Sequence, residues 1–236
     1  MAVTVDIKAL LEAGVHFGHK TSRWHPKMSQ YIHSKRQDSH IIDLTKTVEG
    51  LEVALPFITK IVSGGKQVLF VGTKKQAKDI VREAAESAGQ PYVTERWMGG
   101  MLTNVTTVTG QIKHLKNLER RMDSGELANR YSKLEVQRFQ EEIDDMNKRY
   151  GGIKELNGKP GAVFVTDVIE DINAVREARK LGVPVIAVVD TNADPSLIDY
   201  VIPGNDDAIK GLKLLLDYVV QAVQEGKSIS QSKTEK

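Results

Sequence analysis

At 236 residues, 40% hydrophobic and 27% charged, the chain can bury a sizeable core, which excludes wholesale disorder. The absence of cysteine excludes disulfides, thiolate zinc sites and a cysteine nucleophile, and it fits a reducing compartment. The net charge of +2 is spread unevenly, with six Lys and Arg against three acids over residues 1–40 and four against nine over 161–210, which suits one face to a polyanion.

The segment Met1-Ala-Val-Thr-Val-Asp6 lacks the basic patch and apolar run of a signal peptide. No stretch approaches the roughly 20 apolar residues that span a bilayer. The expectation is a cytoplasmic protein with no membrane partner. Gly14-Val-His16-Phe-Gly18-His19 has the look of a metal motif, but glycines flank the histidines and no carboxylate lies between them. A turn with hydrogen-bonded imidazoles and no metal is expected. The alternative is a zinc site completed by Asp190 or Asp194.

From Lys20 to His40 the chain interleaves cations with planar rings: Lys20, Arg23, Trp24, His25, Lys27, Tyr31, His33, Lys35 and Arg36. Their spacing has no helical period, so an extended loop is expected. Such a loop can grip phosphates with its cations and stack its rings on splayed bases. The competing reading is a solvated loop with Trp24 anchored in the core.

A helix over roughly 44–62 precedes Gln67-Val-Leu-Phe-Val-Gly72, a buried-strand pattern. Gly72-Thr73-Lys74-Lys75 then opens a helix that runs through Ala88. Unpaired N–H groups and the helix dipole favour an anion there, although the loop is neither GxGxxG nor a Walker sequence. Phosphate contact and simple solvation of a first helical turn both stand. Pro91–Thr94 reads as a second strand. Arg96-Trp97-Met-Gly99-Gly100-Met-Leu-Thr-Asn104 repeats the Arg-Trp pairing, and its glycines permit close backbone approach.

Residues 105–150 break the strand–helix alternation. Val105, Val108, Ile112, Leu115, Leu118 and Met122 form one apolar seam, and Val136, Phe139, Ile143, Met146 and Tyr150 form another. Two antiparallel helices packed as a coiled-coil hairpin are expected, turning at Asp123–Gly125 and stopped by a left-handed Gly151-Gly152. Lys113, Lys116 and Arg120 share a face of the first helix, which makes it the RNA-facing one if either is. Strands at 162–166, 184–190 and 200–202 alternate with helices over 170–181 and 206–224. Apolar on both faces and separated by helices, they predict a flavodoxin-like, doubly wound parallel sheet. Its body is residues 1–104 and 151–225, the hairpin is an insertion, and a polar tail, 226–236, is expected to be disordered.

Nothing signals catalysis. There is no G-x-S-x-G elbow, and acids at the strand ends (Asp190, Asp194, Asp206) disfavour a bare pyrophosphate, so no cofactor is expected. The rival class is a metal-dependent enzyme acting on a phosphorylated small molecule through Lys74 or Lys75 and those acids.

Taken in order, Leu11–His19, Trp24–Met28, Ile41–Leu44, Leu69–Lys74, Arg96–Asn104, Val189–Pro195 and Val201–Ala208 resemble the bacterial S-two family of small-subunit ribosomal proteins over nearly the whole chain. The chain departs at His25, where many members carry Asn. The resemblance implies the fold above, a place where head meets body of the small subunit, and binding to small-subunit ribosomal RNA without catalysis. It also implies contacts with neighbouring ribosomal proteins and support for docking of the multi-OB-fold S-one protein, where that protein exists. The RNA-facing candidates are His16, His19, Lys20, Arg23, Trp24, Lys27, Lys35 and Arg36 near the amino end, and Lys74. Arg96, Trp97, Gly99, Gly100, Asn104, Lys113 and Lys116 complete the set.

Overall fold

The computed structural model describes residues 4–234. After a short helix α1 (Ile7–Glu12), capped by Asp6 through the Lys8 N–H at 2.8 Å, come strands β1 (Phe17–Lys20), β2 (Ile32–Arg36) and β3 (Ser39–Ile42). They pair antiparallel in the order β1-β3-β2. The expected extended loop is therefore partly a small sheet. Its strands are short, four of the five β2 residues are exposed, and only His40 and Ile42 of β3 are buried. No apolar alternation marks them in the sequence.

Helix α2 (Leu44–Ser63) starts where Asp43 accepts the Thr45 N–H at 2.9 Å, a side-chain cap for an otherwise unpaired donor. Then follow β4 (Val68–Val71), α3 (Lys78–Ser87) and β5 (Tyr92–Val93). Beyond the helical insertion come β6 (Ala162–Val165), α7 (Ile172–Lys180), β7 (Val185–Val189), β8 (Tyr200–Pro203) and α8 (Ile209–Thr234). The five later strands are all parallel, ordered β5-β4-β6-β7-β8. Numbered within this sheet, that is the 2-1-3-4-5 order of flavodoxin-like proteins.

Every residue of β4, β6 and β7 is buried, and the two faces feed different cores. Val68, Phe70, Phe164, Ile186 and Val188 pack with Leu51 and Ile58 of α2, Val81 of α3 and Leu215 and Val219 of α8. Leu69, Val71, Val163, Val165 and Ala187 pack with Ala174, Val175 and Ala178 of α7 and with Met28, Trp97 and Met101. Each Val, Leu, Ile, Phe or Met among them contributes about 1.5–3 kcal/mol by leaving water, so the sheet core dominates stability.

The helices between β5 and β6 are α4 (Val105–Asp123), α5 (Glu126–Arg130) and α6 (Lys133–Tyr150). Leu115 and Leu118 of α4 meet Ile143 and Met146 of α6 in a separate small core. The turn falls at Gly125 as expected, but the short α5 follows it. Ser132 and Glu135 restart the helix by a side-chain to N–H bond of 3.0 Å.

One glycine expectation and the tail change. Gly151 is right-handed helical, not left-handed, and Gly152 is small for another reason: a Cβ there would run into the Tyr92 carbonyl oxygen. Residues 226–234, expected as a disordered tail, are the last turns of α8. Gly226 is a close-contact residue, since a Cβ would sit 2.8 Å from both the Thr59 carbonyl oxygen and Val62 Cβ of α2. The helix needs no stop there.

Candidate nucleic-acid interface

The amino-terminal segment is fastened to the carboxyl edge of the large sheet. His25 N–H donates to the Thr191 carbonyl at 2.7 Å, His19 N–H to Thr191 Oγ1 at 2.9 Å, and Asn205 N–H to the Val15 carbonyl at 3.0 Å. A Cβ on Gly18 would lie 2.7 Å from Thr191 Cγ2, so only glycine permits this seating. The small β1-β3-β2 sheet is thereby held beside the loop that follows β7.

Charge at that edge is balanced within the protein. Lys74 Nζ lies 3.1 Å from Asp167, 2.7 Å from Asp206 and 2.7 Å from Asp207. Burial alone would lower the Lys74 pKa, but hydrogen bonds to Asp206 and Asp207 and the charges of Asp206 and Asp167 raise it. Asp206 is pushed up to about 7 by burial, then by the charges of Asp167 and Asp190. His19 places Nδ1 3.1 Å from Asp190 and Nε2 3.4 Å from Asp207, and the Asp190 hydrogen bond raises its pKa against the pull of burial. His16 is half-buried, burial lowers its pKa, and Nδ1 has no partner among the described residues. The hydrogen-bonded turn thus holds for His19 and not for His16 Nδ1.

One donor atom each from His19, Asp206 and Asp207 lies within 4.8 Å of the others, close enough to share a divalent cation. Lys74 already supplies positive charge to both carboxylates. The Gly72–Lys75 loop is occupied as well. Thr73 donates its N–H at 3.1 Å and its hydroxyl at 2.8 Å to Asp171, so the anion at this turn is an internal carboxylate. Helix α3 begins only at Lys78.

The candidate cations therefore divide. Lys27 pairs with Asp194 at 3.1 Å and Ser196 at 2.6 Å, and Lys116 pairs with Glu155 at 2.8 Å. The Asp194 carboxyl is held down at about 2, first by hydrogen bonds from the Ser196 N–H and hydroxyl, then by Lys27. Lys20, Arg23, Lys35, Arg36, Arg96 and Lys113 are exposed and make no ion pair among the described residues. The first four lie on the small sheet or the turn that leaves it, as does Trp24, which is 38% exposed and tilts over His40 at a centroid distance of 5.3 Å.

Trp97 is different. It is 8% exposed, part of the second core, and its Nε1–H donates to Glu177 at 3.0 Å, so it is a structural anchor and not a stacking surface. The same carboxylate accepts the N–H groups of Gly100 at 2.7 Å, Leu102 at 3.0 Å and Thr103 at 3.1 Å. Burial would raise the Glu177 pKa, but these four donors lower it. Gly100 takes φ +90°, a conformation glycine adopts at no steric cost, while Gly99 and Asn104 stay exposed. Glu177 is one acid among several on an amphipathic helix, and nothing in the sequence singles it out.

A small antiparallel sheet bearing cations without ion pairs among the described residues is thus seated on a 2-1-3-4-5 parallel sheet. The family model described as "Ribosomal protein S2" covers residues 10–226. The chain belongs to the ribosomal protein S2 family. It is 49% identical over 228 residues to "Small ribosomal subunit protein uS2" of Roseiflexus sp. (strain RS-1), covering 97% of this chain and 87% of the relative. Proteins of the same name from Chloroflexus aggregans and Thermus thermophilus are each 50% identical, over 94% of this chain and 93% and 88% of theirs. Ribosomal protein S2 is a structural, non-enzymatic component of the small ribosomal subunit, so the metal-dependent enzyme is set aside. The engagement of Lys74 with three carboxylates and of Thr73 with Asp171 agrees with that.

Proposed function

We propose that the chain binds small-subunit ribosomal RNA through the β1-β3-β2 sheet and the exposed start of the helical insertion, and that it stabilises the assembled small subunit in the cytoplasm. The observation that carries this is the group of exposed cations without acidic partners among the described residues, Lys20, Arg23, Lys35 and Arg36, on the part of the chain that also presents a half-open indole. Cations already neutralised by neighbours, such as Lys27, Lys74 and Lys116, gain less from a phosphate. Arg96, Gly99, Asn104 and Lys113 extend the surface to the base of α4.

In this reading residues 105–150 form a coiled-coil hairpin projecting from a body made of 1–104 and 151–225. The seam Leu115, Leu118, Ile143 and Met146 supports it. The place at the head–body junction, contacts with neighbouring ribosomal proteins and support for S-one docking are inferred from family membership. The acidic carboxyl edge is the surface to turn toward protein.

Binding to protein-free small-subunit RNA, titrated with salt, tests the reading. If four to six phosphates are neutralised, the log–log slope is about −3 to −4, from roughly 0.7 per phosphate on single strands. Affinity that ignores salt contradicts it.

A further inference from the structure

His40 lies on β3, is 1% exposed, and neither of its ring nitrogens has a hydrogen-bond partner among the described residues. A buried polar side chain left unpaired costs free energy that an apolar residue of similar shape would not, so its retention calls for a use. Its surroundings supply one. The Trp24 ring lies 5.3 Å from the imidazole with a 43° tilt, and Trp24 itself is 38% exposed. Among the described residues the Trp24 side chain makes this ring contact and no hydrogen bond. Lys35 stands directly across the β2–β3 ladder, exposed and without an ion pair among the described residues. Burial first, then the Lys35 charge, lowers the His40 pKa. A neutral imidazole offers one donor and one acceptor.

We propose that Lys35, Trp24 and His40 form a site for a single splayed ribonucleotide: its base stacks on the solvent side of the Trp24 indole, its phosphate meets Lys35, and the indole slides aside with the base so that a ribose hydroxyl passes its edge and hydrogen-bonds the imidazole. The proposal rests on the RNA-binding reading above and adds to it a position where the RNA is gripped by more than charge. Stacking and hydrogen bonding of this kind suit unstacked bases in loops and bulges, not paired helices.

The test uses the full chain, protein-free small-subunit ribosomal RNA, and the variants His40→Phe and His40→Gln. His40→Phe removes the unpaired nitrogens, so its thermal midpoint is expected to equal or exceed that of the parent. Its RNA affinity is expected to fall about five-fold or more, the worth of one hydrogen bond, with the salt slope unchanged because no phosphate contact is lost. His40→Gln, which keeps a donor and an acceptor, is expected to retain affinity within about two-fold. Iodide quenching of tryptophan fluorescence is expected to drop on RNA binding through Trp24 alone, since Trp97 is buried. The proposal is overturned if His40→Phe binds as tightly as the parent, or if Trp24 stays open to iodide in the complex. A parent chain that fails to bind the RNA at all overturns the underlying reading as well, and that result is distinct from either of the others.

Discussion

Glu177, on α7, accepts the indole N–H of Trp97 at 3.0 Å, and through that carboxylate the chain entering the helical insertion is tied to the sheet body. Three backbone N–H groups, from Gly100, Leu102 and Thr103, share the same acceptor. Glu177→Ala leaves them without it at a half-buried site. A loss of about 2–3 kcal/mol in urea unfolding is expected, the range for losing hydrogen bonds to a charged group. The carboxyl's folded pKa is lowered, so this stabilisation is present above its unfolded value and fades as pH falls below about 4. A Glu177→Ala variant as stable as the parent at neutral pH contradicts this role.

The buried acids at the carboxyl edge give the reverse trend. Burial, then Asp167 and Asp190, push Asp206 up to about 7, and burial pushes Asp171 up to about 6. A carboxyl raised on folding contributes stability that is full below its unfolded pKa and is lost as pH rises through the folded value. His19, also raised, acts in the same direction above about pH 6.5. Stability is therefore expected to decline from about pH 4 to about pH 7, with a limiting slope of about 1.4 kcal/mol per pH unit for each proton that the folded chain retains and the unfolded chain has lost. Asp206→Asn flattens that decline, and denaturant midpoints across the range read it.

Lys74→Met leaves Asp167, Asp206 and Asp207 facing one another without their shared cation. Breaking such a buried cluster from one side costs about 3–5 kcal/mol. Because the penalty lies in the stranded carboxylates, adding Asp206→Asn to Lys74→Met is expected to restore part of the loss. Additive effects in this double-mutant cycle would show that the residues act separately.

The sheet body is legible in the sequence because β4, β6 and β7 are buried on both faces and so read as unbroken apolar runs between amphipathic helices. The small sheet is not, because its strands are short and mostly wet, leaving Phe17-Gly-His-Lys20 and Ile32-His-Ser-Lys-Arg36 without a period. Residues 20–36 do stand out as basic and aromatic, but which candidate cations are already paired depends on acids distant in the chain, Asp194 for Lys27, Asp206 for Lys74 and Glu155 for Lys116. Trp24 and Trp97 share an Arg-Trp dipeptide, yet one is half-open and the other is core. A glycine misleads where close packing, not chain reversal, selects it, as at Gly152, and Gly226 is another such close-contact residue.

Gly226→Ala probes that last point. The added methyl meets the Thr59 carbonyl and Val62 where α8 crosses α2. Despite alanine's better helix propensity, a net loss of about 1–3 kcal/mol is expected from overpacking, seen as a lower thermal midpoint. A raised midpoint would mean that α8 does not press on α2 there.

The most direct test of RNA binding through the small sheet is sedimentation of the chain carrying Lys20→Glu, Arg23→Glu, Lys35→Glu and Arg36→Glu together. These side chains are exposed and unpaired among the described residues, so circular dichroism and the thermal midpoint are expected to stay near those of the parent. In a sucrose gradient of lysate the parent is expected with the small ribosomal subunits and the folded variant at the top. A folded variant that sediments with small subunits as fully as the parent would contradict the account.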